Sequence, residues 1–426
     1  MEVNLLHKNK TENIPNGYKK TIVGIIPKDW QVKKFKEITD ILKCGIASTP
    51  TYVEKGVPFL SSQNVKENKF ILDKYNYVSE EFHEKLTKNA KPQRGDILYT
   101  RVGANFGKAA VVDFDWEFSI YVSLTLIRMK QGYNNYFYSY LLNSDKYVYN
   151  ARRTVFQGGG VQNLNVKEVE KFDMVVPPYN EQEKIASILL TWDKAIELKE
   201  KLIEQKKKQK KGLMQKLLTG EVRLPGFDGE WEQVRLGELA KLQGGYAFTS
   251  SMFKEKGIPI VRISNILPEI TDYNQEFVYY DEIKISGNFM VQYGDILIAM
   301  SGATTGKVGI YKKNEIAYLN QRVGKFVNLD KSKLDYGYLY YLVTSTKFKT
   351  QLTEELATGA QPNISSKQIE NFKFKIPSIN EQISISKILA QFDKFISLQE
   401  KELIYLKQQK KGLMQLLLTG KVRVKV

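Results

Sequence analysis

The chain has 426 residues, 42% apolar and 26% charged, the balance of a folded protein with room for two to four cores. Its 64 Lys and Arg exceed its 47 Asp and Glu to give a formal charge of +17, which favours a polyanionic partner such as nucleic acid or an anionic membrane. The single cysteine, Cys44, rules out an intrachain disulfide and fits a reducing compartment. No run approaches the roughly 18 apolar residues of a membrane span, and Met1–Lys10 lacks the apolar core of a signal peptide. A cytoplasmic protein is expected.

Residues 1–179 read as a first globule. Short strand patterns over Asp96–Arg101, Val111–Val112 and Tyr121–Ile127 and a helix pattern over Asn135–Val148 predict an α+β fold. Three loops, Ser61–Val65, Arg101–Lys108 and Arg152–Asn163, gather Gln63, Asn64, Arg101, Asn105, Lys108, Arg152, Arg153, Gln157, Gln162 and Asn163. Such side chains suit base edges and phosphates: Arg for guanine, Asn or Gln for adenine, Lys and hydroxyls for the backbone. Tyr136, Tyr138 and Tyr140 read as half-buried helix packing rather than stacking platforms.

Residues 180–220 predict one long helix, over 181–219, with Asn180 as N-cap, Glu183 in a capping box, a possible bend at Gly212 and Gly220 as the stop. Ile185, Leu189, Trp192, Ile196 and Leu202 keep a helical apolar stripe. At about 1.5 Å per residue the helix runs roughly 58 Å, and so long a stripe needs a partner helix. The run Gln205–Lys211 reads as a solvated helix face, or else as a contact to nucleic acid or a partner.

A second globule, 221–379, carries the candidate loop residues Arg262, Ser264, Asn265, Ser301, Thr304, Thr305, Lys307, Gln321, Arg322, Gln361 and Asn363. A second helical segment, 380–426, repeats the stripe with Ile385, Leu389, Phe392, Ile396 and Leu403.

The chain is thus written twice. Asn180-Glu-Gln, Lys210-Lys-Gly-Leu-Met-Gln215, Leu217-Leu-Thr-Gly220 and Val222-Arg223 recur 200 residues later. The globules match more loosely: Trp30 with Trp231, Gly95-Asp-Ile-Leu98 with Gly294-Asp-Ile-Leu297, Gly103-Ala104 with Gly302-Ala303, and Tyr136, Tyr138, Tyr140 and Leu142 with Tyr336, Tyr338, Tyr340 and Leu342. The helices therefore share one task, while the globules share a scaffold and differ in surface. The two equivalent helices are expected to pair as an antiparallel coiled coil, with the globules related by a pseudo-two-fold axis.

Motifs that would carry catalysis are imperfect. Gly302-Ala-Thr-Thr-Gly-Lys307 has three residues between its glycines and Val308 after the Lys, where a phosphate loop needs four and Ser or Thr. Val176-Pro-Pro-Tyr179 resembles the Asn/Asp-Pro-Pro-Tyr/Phe motif of adenine methyltransferases but lacks its polar first residue, and its repeat reads Ile376-Pro-Ser-Ile379. With only His7, His83 and one cysteine, a His/Cys metal site is not expected.

The doubled order, the Asn-Glu-Gln helix entries and the two Lys-Lys-Gly-Leu-Met-Gln…Leu-Leu-Thr-Gly endings resemble the specificity (S) subunit of a Type I restriction–modification system, over nearly the whole chain. The resemblance implies two target-recognition domains, each reading one half of a bipartite double-stranded DNA target. It implies paired helices that rule the unread spacer and dock two methyltransferase (M) subunits, with restriction (R) subunits joining that core. It implies no catalysis in this chain: S-adenosylmethionine would belong to the M subunits, and ATP with Mg²⁺ to the R subunits. The competing expectations are a self-contained DNA methyltransferase, a coiled-coil assembly protein with incidental charge, and a DNA reader for a fused restriction–methylation enzyme.

Overall fold

The computed structural model describes residues 14–47, 50–156, 163–270, 276–357 and 362–425. They group into two compact units, one within residues 14–199 and 402–425, the other within residues 200–401. Each unit holds one globule, the beginning of one long helix and the end of the other.

In the first unit, strands Thr39–Cys44, Ile97–Thr100, Ala109–Val111 and Leu124–Met129 form an antiparallel sheet with Leu124–Met129 between Ile97–Thr100 and Thr39–Cys44. A smaller sheet places Val57–Leu60 parallel to Ser119–Ile120 and antiparallel to Asn76–Val78. The second unit repeats the plan with Ala240–Gly244, Val323–Asn328, Ile296–Ala299 and Val308–Tyr311 in one sheet and Ile258–Val261 beside Ala317–Leu319 in another. All four residues of Ile97–Thr100 and of Ile296–Ala299 are buried, as expected of central strands covered on both faces.

The helix expected over Asn135–Val148 is two helices, Asn135–Asn143 and Asp145–Phe156. Ser144 separates them in an extended conformation (ψ 148°), with its hydroxyl returned to the Leu141 carbonyl, the local side-chain bond by which serine competes with helix. Their counterparts are Tyr336–Thr344 and Thr346–Ala357. The true offset here is therefore 201, so Tyr140 corresponds to Tyr341 and Leu141 to Leu342. Tyr136, Tyr138, Tyr140 and Leu142 lie one residue away from the register with Tyr336, Tyr338, Tyr340 and Leu342 that the offset of 200 in the sequence suggests. Tyr138 and Tyr140 are fully buried, more so than packing on a helix flank requires.

The long helices run Tyr179–Thr219 and Ile379–Leu417, hereafter the central and C-terminal helices. Asn180 is not the N-cap: it lies inside the first turn, where the Pro178 carbonyl accepts from the N–H groups of Glu181 and Gln182. Gly212 stays helical and faces open space. Both helices stop at a glycine in the left-handed region, Gly220 (φ 74°) and Gly420 (φ 69°), where a Cβ is unfavourable.

Within the first unit Asp193 meets Lys410 at 2.5 Å and Lys199 meets Glu402 at 2.9 Å; within the second Lys207 meets Glu400 at 2.6 Å and Lys210 meets Asp393. In each unit one number rises as the other falls, so the helix segments are antiparallel. Ile196 and Ile396 are buried on the stripe, and Trp192, Leu202, Phe392 and Leu403 are half-buried. Four stripe residues do more than pair helices. Ile185 and Leu189 lie in a globule core together with Met414, Leu417 and Leu418, as do Ile385 and Leu389 with Leu217 and Leu218. The lysine run is not a uniformly solvated face either, since Lys207 and Lys210 hold carboxylates and Lys206 sits 5.8 Å from the Phe395 ring centre.

Candidate nucleic-acid interface

In the first unit the fold gathers three of the segments singled out in the sequence. Gln63 is exposed on the turn Ser62–Asn64. Asn105 donates 2.9 Å to the Ser62 carbonyl, which ties loop 101–108 to that turn. Asn163 is exposed and bridges to Val102, while the Leu164 N–H donates 3.0 Å to the Arg101 carbonyl. Arg152 and Arg153 are exposed near the end of Asp145–Phe156. Lys108 is paired with Glu67 at 2.9 Å. Gln157 and Gln162 lie outside the described residues.

The second unit makes the same convergence. Ser301 bridges to Asn363, and the Ile364 N–H donates 3.0 Å to the Met300 carbonyl. Thr305 Oγ1 donates 2.6 Å to the Pro362 carbonyl, and Thr304 Oγ1 donates 3.2 Å to the Ile263 carbonyl. A cleft of about 450 Å³ results, lined by Met300, Ser301, Gly302, Gln321, Arg322, Pro362, Asn363 and Ile364. Gln321, Arg322, Ser264 and Lys307 are exposed, and the buried Ser301 Oγ has no hydrogen-bond partner among the described residues. Gln361 lies outside the described residues.

Three candidates are spent inside the protein. Asn64 is 1% exposed; its Oδ1 accepts from the Ser61 N–H at 3.0 Å, and its Nδ2 donates to the Ile71 and Lys74 carbonyls. Asn265, 2% exposed, likewise accepts from the Arg262 N–H and donates to the Glu276 carbonyl. Both shape their loops and present no amide outward. Arg101 is 7% exposed; its Nε donates 2.7 Å to the Leu164 carbonyl and its Nη2 donates 2.8 Å to Asn163 Oδ1. Its role is to hold Asn163, and Met300 takes the equivalent place in the second unit. Arg262 is half-buried and lies 5.9 Å from the Phe253 ring centre.

Gly302–Thr304 forms a short turn feeding strand Val308–Tyr311. A phosphate loop leads into a helix N-terminus instead, so the geometry adds to the motif's mismatch. Among the described residues no group of three His, Cys, Asp or Glu is placed to hold a metal ion, and no helix is long and apolar enough to cross a membrane.

Sequence reading missed the residues that seat each globule on the helices. In the first unit the buried Glu181 accepts from Trp30 Nε1 at 2.9 Å and from Arg423 Nε at 2.7 Å, and Arg423 also holds Asp29. That guanidinium keeps the Asp29 carboxyl below its ordinary range. In the second unit Arg223 donates twice to Glu381 at 2.8 Å and lies 5.6 Å from the Trp231 ring centre, whose buried Nε1 has no partner among the described residues. Further along, Tyr140 Oη donates 2.6 Å to Asp193, which Lys410 also holds, and Tyr341 Oη donates 2.8 Å to Asp393, held by Lys210. Burial and the adjacent aspartate push both phenols well above the ordinary tyrosine range. Repetition of Glu-Gln, Asp-Lys, Lys-Lys-Gly and Val-Arg was the visible signal; nothing in it told a clamp from a helix cap.

The family model for the "Type I restriction modification DNA specificity domain" matches residues 27–207 and again 228–408. Two similar curated proteins come from Methanocaldococcus jannaschii. One is the Type I restriction enzyme MjaVIII specificity subunit, 30% identical over 419 residues and 94% of each chain; the other is the putative type I restriction enzyme MjaX specificity subunit, 30% identical over 450 residues and 99% of each chain. Two solved structures share the fold. A chain from a study of complex assembly and conformational transition in the type I R-M system has TM-score 0.58 at 18% identity, covering 93% of this chain and 99% of that one. The Type-I restriction-modification S subunit from M. genitalium has TM-score 0.56 at 16% identity, covering 93% and 96%. The chain belongs to the DNA specificity subunits of Type I restriction–modification systems.

Proposed function

We propose that each unit reads one half of a split duplex DNA target, that the antiparallel helices set the unread spacer and dock methyltransferase subunits, two per chain, and that the chain catalyses nothing itself. The observation that carries this reading is the repeated loop convergence: the same bridge, Val102 with Asn163 and Ser301 with Asn363, recurs in both units among loops whose exposed side chains differ, Gln63 in the first and Gln321, Arg322 and Lys307 in the second. A shared scaffold with unlike tips suits two different half-sites. S-adenosylmethionine, and ATP with Mg²⁺, belong on the methyltransferase and restriction partners, with which the chain would work in the cytoplasm.

Methylome sequencing of cells expressing this chain with its methyltransferase partner tests the proposal. A newly methylated motif of two short defined halves around an unread gap is expected. An unsplit motif would overturn the two-reader reading, as would no new motif from an intact complex. Methyl transfer by this chain alone would overturn the division of labour.

A further inference from the structure

We infer that the two Asp–Tyr–Lys clusters, Asp193 with Tyr140 and Lys410, and Asp393 with Tyr341 and Lys210, are positioning elements that fix the angle of each recognition domain on the helix pair and so hold the spacer to one length. The inference rests on the split-target reading. Each cluster joins three separate elements at one carboxylate: a globule helix gives the phenol, one long helix the aspartate and the other the lysine. The lysine also lies 5.3 Å from the tyrosine ring centre in both units.

The chain keeps this arrangement across a slip. The aspartates and lysines repeat at an offset of 200, whereas the helices Asn135–Asn143 and Tyr336–Thr344 repeat at 201. Even so, a phenol reaches the carboxylate in both units, from Tyr140 and from Tyr341. Apolar packing tolerates small rotations, whereas a hydrogen bond from a phenol to a carboxylate weakens steeply off axis.

A second anchor lies nearby. Glu181 with Arg423, and Glu381 with Arg223, stand 12 residues before the aspartates on the same helix, a rise of about 18 Å. The apolar core shared with the long helices seats each globule, and two polar anchors that far apart narrow its angle further. DNA advances about 3.4 Å per base pair, so a small swivel at the helix becomes a change of register at the recognition loops.

The full-length chain in complex with its methyltransferase partner would be incubated with a pool of duplexes carrying a randomised 30-base-pair core, and bound duplexes sequenced. Wild type is expected to enrich one split motif at one gap length. Tyr140→Phe with Tyr341→Phe, and Asp193→Asn with Asp393→Asn, should enrich the same two halves while preference over gaps one base pair shorter or longer falls about tenfold, the order of one lost coupling. Unchanged gap preference in variants that bind would overturn the inference. Equal loss at every gap length would also overturn it, because that is what a merely stabilising role predicts. Should the aspartate variant fail to assemble, the tyrosine variant, which removes only two hydroxyls, decides. Enrichment of an unsplit motif by wild type would bring down the split-target reading itself, an outcome distinct from the other two.

Discussion

Two aspartates occupy equivalent places in the repeat and should respond differently to the same substitution. Asp96 and Asp295 follow Gly95 and Gly294, both at positive φ, and lead into the buried strands. Asp96, with a side chain 2% exposed, receives Nε and Nη2 of Arg128 at 2.8 Å each and the Gln93 N–H at 2.9 Å. Asp295 has the matching backbone bond from Gln292, but its nearest cation is Lys325 at 3.7 Å. Position 327, where Arg128 would repeat, is Val327. Burial accordingly raises the Asp295 carboxyl above the ordinary carboxylate range despite Lys325.

Asp96→Asn turns one acceptor oxygen of a bidentate pair into a donor facing the guanidinium. Breaking a buried pair costs about 3–5 kcal/mol; with the Arg128 side chain 26% exposed, water screens part of this, and about 2–4 kcal/mol is expected. Asp295→Asn keeps the backbone bond and removes a poorly paired charge, so it should lie within about 1 kcal/mol of wild type or be more stable at neutral pH. The sign with pH follows. A carboxyl raised in the folded state contributes most below its unfolded pKa of about 3.9 and loses that contribution as pH rises through its folded value. The advantage of Asp295→Asn should therefore grow as pH rises from about 4 and vanish below it. Urea unfolding at several pH values reads both variants. A loss above about 2 kcal/mol for Asp295→Asn, or below about 1 for Asp96→Asn, would refute the reasoning.

The other substitutions separate loop shape from base reading. Asn64→Ala and Asn265→Ala each strand buried backbone groups and should cost about 1–3 kcal/mol of stability, with unchanged base preference in a duplex-binding selection of the folded fraction. Arg322→Ala should weaken binding by about 1–3 kcal/mol and relax one position in one half-site only; an effect on both halves would contradict separate readers. Lys307→Gln should weaken all duplexes alike and reduce the log–log salt slope by about 1, as for a phosphate contact.

The sequence carried the architecture because repetition and period are local signals. Ile185, Leu189 and Ile196 recur on one helical face, and Gly220 at positive φ ends the helix where the sequence places its stop, although Gly212 in the same helix stays helical. Partners in space were not legible. Asn64 and Asn163 are the same residue type in equally polar loops, yet one is enclosed by carbonyls of residues 71 and 74 and the other is exposed. Asn180 reads as a cap because asparagine is a favoured N-cap residue and Glu183 follows at capping-box spacing, yet the Pro178 carbonyl already accepts the first helical bonds. Glu181 and Arg423 are 242 residues apart, beyond any window in which an acid and a base suggest a pair.

The same contacts explain why the helices repeat at a constant offset while the globules drift. Strands Leu124–Met129 and Val323–Asn328 are 199 apart, and the helices that follow them are 201 apart. The difference is absorbed between them, by the connections 130–134 and 329–335. A loop can take up two residues at small entropic cost. A helix cannot, because each added residue turns everything beyond it by about 100° and moves it about 1.5 Å. One alanine inserted between Ser187 and Ile188 would leave Glu181 on Arg423 and carry Asp193 off Tyr140 and Lys410. It should lower the melting temperature of the chain and its yield with the methyltransferase partner. The same alanine inserted between Lys331 and Ser332 should change neither. Equal tolerance of both insertions would mean that the Asp193 cluster restrains nothing, and the constant offset of the helices would then lack this explanation.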